Sequence, residues 1–280
     1  MDAAPARLTS FVRDGLTFDV TDSGPLDGDV VVLLHGFPQK ATSWAGVSAR
    51  LADHGYRTVA LDQRGYSPGA RPRGRRAYRL AELTADVVAL IDRLGAGPVH
   101  LAGHDWGANV GWSVAAHHPE RVRTWTAVSV PHPVAFSRAL RSRAQARRSW
   151  YMAFFQLPRI PELVLSRTAS GGPKLLAGAG MDAAALERYR HEMVDGGALP
   201  GALGWYRALP FISSTPRVTV PTTFVWSSRD SAVSRRAAQL CADSVTGPYR
   251  FVEIGGTHWI PDQQPAAIVD AFLAGVDAAD

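Results

Sequence analysis

The sequence predicts an α/β protein in which a mostly parallel sheet is covered by helices and interrupted once by an all-helical segment. Three observations carry this reading. Short β-branched apolar runs alternate with stretches of helical periodicity. The strongest run, Val30 to Leu34, is apolar throughout rather than alternating, as a strand buried on both faces should be. From Pro131-His132-Pro133 to Ser214 the strand signals cease, while helix formers continue, punctuated by Pro158, Pro161, Pro173, Pro200 and Pro210.

The elements follow in order. Val30-Val31-Val32-Leu33-Leu34 is a strand ending at His35-Gly36. Trp44, Val47, Leu51 and Ala52 give residues 42–53 helical spacing, and Gly55 supplies a stop. Residues 57–62 form the next strand. Leu83, Val87, Leu90, Ile91 and Leu94 mark one face of a helix over 80–94, closed by Gly95. A strand over 98–102 runs into Gly103-His104-Asp105-Trp106-Gly107, followed by a helix over 108–117 and a strand over 124–130. After the helical segment come a strand (222–226), a helix (234–244), a strand (249–254) and a helix (266–274). The chain therefore divides into a core over 1–132 and 215–280 and a helical cap over 133–214.

Composition narrows the function. The chain has 280 residues, 46% hydrophobic and 20% charged, which suits a globular protein with a substantial core. No run of 18 apolar residues is present, so no membrane insertion is expected. Met1-Asp2-Ala3-Ala4-Pro5 lacks the basic region and apolar run of a secretory leader, and a cytoplasmic protein is expected. The one cysteine, Cys241, excludes an internal disulfide and reads as a buried small hydrophobe. The net charge of +5 is carried mostly by arginines, clustered at Arg71, Arg73, Arg75 and Arg76 and at Arg138, Arg141, Arg143, Arg147 and Arg148. Neither cluster lies beside a nucleic-acid-binding motif with interleaved aromatics, so both read as solvated surface, with no nucleic-acid partner.

Four motifs carry chemistry. Gly103-His104-Asp105-Trp106-Gly107 sits between a strand and a helix, the context of a nucleophile elbow, where small residues two places either side let the central side chain project. His35-Gly36-Phe37-Pro38 follows an earlier strand, where a loop donates one backbone N–H to an oxyanion hole; the second comes from the residue after the nucleophile. The donors here are Phe37 and Trp106. His258 stands in a glycine-rich loop after the last strand, where a general base belongs, and Asp230 follows the preceding strand, placed to orient it. The order 105, 230, 258 is nucleophile, acid, base.

On these pieces the sequence resembles the epoxide hydrolase branch of the α/β-hydrolase superfamily over nearly its whole length: His35-Gly36-Phe37-Pro38, Gly103 to Gly107, Asp230 and Gly256-Thr257-His258-Trp259. The resemblance implies an eight-stranded, mostly parallel sheet flanked by helices, with the cap inserted after the sixth strand. Trp150 to Pro158 and Trp205-Tyr206-Arg207-Ala208 resemble the segments bearing the family's two ring-opening tyrosines. That implies Tyr151 and Tyr206, with a neighbouring aromatic such as Tyr189 or Phe154 as the competitor for the first position. Phe37, Pro38, Trp106, Phe154 and Trp259 are expected to contact a small apolar epoxide. No cofactor or metal is implied, and the oligomeric state, monomer or homodimer, is left open.

The residue types agree with the chemistry. A carboxylate is already a nucleophile at neutral pH, whereas serine must first lose a proton. It suits an sp³ carbon bearing a leaving group, such as an epoxide or an alkyl halide. An epoxide oxygen needs a proton to depart and a halide does not, so the tyrosine pair separates the two reactions. Against haloalkane dehalogenase, the rival reading, stand Phe37 where those enzymes typically carry asparagine and, for the fluoroacetate-cleaving type, Trp106 where arginine is typical. A slow ligand-binding receptor is a second rival, disfavoured by the intact triad. A serine esterase is disfavoured because the elbow holds no hydroxyl.

Overall fold

The computed structural model describes residues 6–167 and 171–279; the N-terminal pentapeptide read above for a leader lies outside them. Eight strands form one sheet in the order β1-β2-β4-β3-β5-β6-β7-β8. They are β1 (Ser10–Arg13), β2 (Leu16–Ser23), β3 (Val30–Leu34), β4 (Arg57–Leu61), β5 (Val99–His104), β6 (Val122–Val128), β7 (Thr222–Ser227) and β8 (Tyr249–Ile254). Strands β3 to β8 are mutually parallel, and β1 and β2 join antiparallel at one edge.

The apolar runs locate β3 to β7, and β8, which has no buried residue, lies where the sequence placed its last strand. β1 and β2 bury only Phe11, Phe18 and Val20, and their outward polar residues leave no apolar run to read. Their signal is a turn: Asp14-Gly15, with φ of 51° and 74°, is a pair that accepts the two left-handed residues of a tight hairpin.

Helices α1 (Ala45–Asp53), α2 (Leu80–Leu94) and α3 (Trp106–His117) precede the sixth strand's exit. A helical segment, called the cap for its position in sequence, lies between β6 and β7: α4 (Pro133–Ala139), α5 (Arg143–Arg148), α6 (Trp150–Phe154), α7 (Ile160–Ser166), α8 (Gly172–Gly178), α9 (Ala183–Tyr189) and α10 (Leu199–Arg207). The core resumes with α11 (Arg235–Gln239), α12 (Ile260–Gln263) and α13 (Pro265–Asp277). Two apolar layers sandwich the sheet. One, with Trp44, Val47, Leu51, Ile268 and Phe272, packs α1 and α13 on one face. The other, with Val87, Leu90, Val110, Trp112 and Trp125, packs α2 and α3 on the opposite face and continues into the cap. Cys241 is fully buried, and burial pushes its thiol up to about 12. No helix among the described residues is long and apolar enough to cross a membrane.

Arg73, Arg75 and Arg76 of the first arginine cluster are exposed, as expected of a solvated surface, but Arg71, Arg75 and Arg76 also hold neighbouring segments. Arg71 donates to the carbonyls of Gly196 in the cap (2.9 Å) and Tyr66 in the core (2.8 Å), and Arg75 donates to the cap carbonyl of Arg207 (2.8 Å). Arg76 lies over the Phe211 ring at 5.4 Å. A guanidinium has five donors in a planar fork, which lets it bridge carbonyls of two segments at once. These arginines tie the cap to the core.

Candidate active site

Asp105 sits where β5 turns into α3, with φ 52° and ψ −118°. A non-glycine residue held there costs about 1–3 kcal/mol, so its surroundings must over-determine it. They do. A Cβ on Gly103 would lie 2.7 Å from the carbonyl carbon of Gly107, and a Cβ on Gly107 would strike the Leu34 and His35 carbonyls. The glycine spacing read in the sequence is thus a packing requirement, because the two glycines close the turn on each other and on the neighbouring strand β3.

That contact brings the loop after β3 against the carboxylate. The Phe37 N–H donates to Asp105 Oδ1 at 2.8 Å. Trp106 is the first residue of α3, so its N–H has no intrahelical acceptor. His35 secures the loop: its Nε2 accepts the Gln63 N–H at 3.1 Å, and its Nδ1 faces the Gly36 carbonyl at 3.2 Å. Burial lowers its pKa to about 4, so the ring stays neutral and can keep one donor and one acceptor role.

His258 Nε2 lies 3.3 Å from Asp105 Oδ2, and its Nδ1 lies 2.8 Å from Asp230 Oδ2. The other Asp230 oxygen accepts the N–H groups of Ala232 (2.7 Å) and Val233 (2.8 Å). The His258 carbonyl accepts from His104 Nε2 (2.8 Å) and from the Ser129 hydroxyl (3.2 Å), which fixes the backbone behind the ring. Burial pulls the His258 imidazole down, but the Asp230 charge and the hydrogen bonds to Asp105 and Asp230 outweigh it and raise the pKa to about 10. Burial likewise opposes ionisation of Asp105, yet hydrogen bonding and charge from His258 hold it below the usual carboxylate range. Both shifts favour an imidazolium beside a carboxylate.

Above the carboxylate stand two cap tyrosines, Tyr151 from α6 and Tyr206 from α10, with ring centroids 5.9 Å apart. Trp106 packs edge-on against the Tyr206 ring, with centroids 5.1 Å apart. Burial, then the Asp105 charge, raises Tyr151; burial and the neighbouring Tyr151 and Asp105 raise Tyr206. Both phenols therefore carry their protons at neutral pH. Phe155 packs edge-on against Tyr206 at 4.8 Å and is tilted against Phe37 at 5.3 Å, locking cap to core beside the site.

Two cavities meet here. One of about 180 Å³ is walled by Trp106, Val130, Phe136, Leu140, Leu209 and Ile212. The other, about 320 Å³, is walled by Phe37, Phe154, Leu165, Leu176 and Trp259 beside His258. Asp105, Tyr151, Tyr206 and Ala232 line both.

Every site residue expected from the sequence lies at this junction or directly behind it. Phe37, Pro38, Phe154 and Trp259 line the larger cavity, Trp106 the smaller, and Asp230 stands behind His258. Tyr189 does not take part: its hydroxyl donates to the Leu165 carbonyl at 2.9 Å inside the cap. The sequence reading missed Phe155, four residues beyond Tyr151 and so on the same face of the chain's turn, and it missed the aliphatic walls. Among the described residues no group of three or more His, Cys, Asp or Glu could hold a metal ion.

A family model of the alpha/beta hydrolase fold matches residues 29–265. The AB hydrolase superfamily protein YfhM of Bacillus subtilis is 33% identical, covering 93% of this chain and 94% of its own length. Epoxide hydrolase A of Mycobacterium tuberculosis is 32% identical over 99% of both. Among solved structures, Epoxide Hydrolase A from Mycobacterium thermoresistibile superposes with a TM-score of 0.78 at 26% identity, covering 97% of this chain and 98% of the other. An epoxide hydrolase from metagenomes of hot environments reaches 0.82 at 26% identity, covering 98% and 99%. The chain belongs to the α/β-hydrolase fold family, on a branch whose relatives include epoxide hydrolases.

Proposed function

We propose that the protein is an epoxide hydrolase that opens an oxirane with water to a vicinal diol through an ester on Asp105. One observation carries the reading: an ionised carboxylate at the elbow faces two protonated phenols across the junction of two apolar cavities. Asp105 Oδ2 attacks one oxirane carbon as that carbon's bond to the ring oxygen breaks, and a phenol gives its proton to the departing oxygen. Ester formation removes the negative charge beside His258. The imidazolium then releases its proton, which restores the phenol by way of solvent.

Neutral His258 next deprotonates a water, whose oxygen bonds to the Asp105 carboxyl carbon. The resulting oxyanion rests on the N–H groups of Phe37 and Trp106. Collapse expels the second diol oxygen, which takes the proton from His258, and the new carboxylic acid returns its own to the imidazole. The resting pair is regenerated, and the sum is oxirane plus water to diol.

The two-armed site favours small epoxides with an apolar substituent on each side of the ring. In this reading the helical segment over 133–214 is the lid of the site, and the enzyme works in the cytoplasm without a cofactor. The phenol pair argues against dehalogenation, because a halide leaves without a proton. Single turnover in ¹⁸O-labelled water tests the ester: the label should remain on Asp105, and label in the first diol would exclude it.

A further inference from the structure

Cap helix α5 reaches into the core through one residue the mechanism does not use. Gln145 is fully buried. Its Oε1 accepts the Ser234 N–H at 2.8 Å, and its Nε2 donates to the Ala232 carbonyl at 2.8 Å and to Ser149 Oγ at 3.0 Å. Three residues along, Arg148 donates through Nη1 to the Asp230 carbonyl. The segment 230–234 is thus gripped at its start, middle and end by a helix that belongs to the cap. It is also the segment whose Ala232 and Val233 N–H groups hold Asp230 Oδ1, leaving Oδ2 for His258 Nδ1.

We infer that Gln145 is a positioning residue that couples the seating of the cap to the alignment of Asp230 behind His258. A buried amide satisfied on both its oxygen and its nitrogen fixes its partners' geometry, and removing it leaves the Ser234 donor and the Ala232 acceptor without their partner in a buried place. The consequence is confined to one half of the reaction. Ester formation uses Asp105 and the phenols, none of which Gln145 touches. Ester hydrolysis needs a His258 whose tautomer and basicity are set by Asp230. Loosening the segment therefore slows the second step and spares the first. The inference rests on the two-step reading above.

The test is Gln145→Met, which keeps the volume and removes the hydrogen bonds, followed by quench-flow and intact-protein mass measurement with a styrene-oxide-type substrate. Ester formation should stay within about twofold of wild type, ester hydrolysis should slow roughly 10- to 100-fold, and the protein-bound ester should accumulate. The pH midpoint of the hydrolysis step should also move down, since His258 loses part of the Asp230 charge that supports its proton. Arg148→Met, at an exposed position, should change the same step in the same direction and serves if the first variant does not fold. Equal slowing of both steps, or unaltered hydrolysis in a folded variant, overturns the coupling. Absence of any ester in the wild-type protein would instead overturn the reaction assigned to Asp105.

Discussion

Replacing Asp105 by asparagine should turn His258 from a resting acid into a base that titrates near neutrality. Two carboxylates hold its proton, and the Asp105 oxygen is 3.3 Å from Nε2. Unit charges at that distance attract by roughly 5 kcal/mol at an effective dielectric of about 20. At about 1.4 kcal/mol per factor of ten, losing that attraction lowers the proton affinity by more than three powers of ten. An imidazole held at about 10 in the resting protein would then titrate at about pH 6, an order-of-magnitude figure. The variant mimics the charge state of the ester, so the same shift readies His258 for its second task during turnover. Following the His258 ring protons by NMR across pH 5 to 11 in both proteins measures it directly. A midpoint that stays above pH 9 in Asp105→Asn would show that Asp230 alone retains the proton, and the release on ester formation would have no electrostatic basis.

Phenylalanine at both Tyr151 and Tyr206 should slow ester formation by roughly 10²–10⁴-fold, the usual worth of a positioned proton donor; rapid-quench rates equal to wild type would remove the phenols from the mechanism. Gly36→Ala should cost at least about 100-fold in turnover, because the added Cβ would fall on the Asp105 side chain, 2.6 Å from Oδ1; kcat measured beside a thermal melt separates this from unfolding. His35 has a folded pKa of about 4, below its ordinary 6.5, so the unfolded chain takes up the proton first as the pH falls. Its stabilising contribution is complete above pH 6.5 and is lost on the way down to pH 4, with roughly 2 kcal/mol gone between pH 7 and pH 5. Denaturant titrations at those two values should show His35→Gln to be less acid-sensitive by about that amount, and an unchanged difference would mean that the imidazole is not held neutral.

The elements of the proposed site are legible in the sequence because each is tied to a local pattern. The Gly-x-Asp-x-Gly turn is demanded by backbone contact, and the loops after β3, β7 and β8 are read once the strands are found. Buried parallel strands announce themselves as apolar runs. The β1–β2 hairpin does not, since its outward residues, such as Val12 at 67% exposure, mix with polar ones, and only the Asp14-Gly15 turn betrays it. The helix after the elbow starts at Trp106, two residues before the sequence periodicity registers it, because the chain must enter α3 directly from the turn. Arg71 and Arg75 look like solvated charges in sequence, because the carbonyls they hold beyond β6 lie more than 120 residues away. Gln145 was invisible for the same reason: its partners at 232 and 234 are set by how the cap is seated, and no pattern near residue 145 reports that.

The Phe37 N–H makes the two oxygens of Asp105 unequal, and isotopes can read the inequality. Oδ1 is pinned by that donor; in the ester route proposed above it would remain the carbonyl oxygen, while Oδ2 would be the atom passed to the product. Each catalytic cycle in heavy water-oxygen then replaces Oδ2 alone. After many cycles the enzyme should carry a single heavy atom on Asp105, and each diol from the second cycle onward should contain the oxygen acquired one cycle before. A carboxylate free to rotate would scramble the two sites and load both.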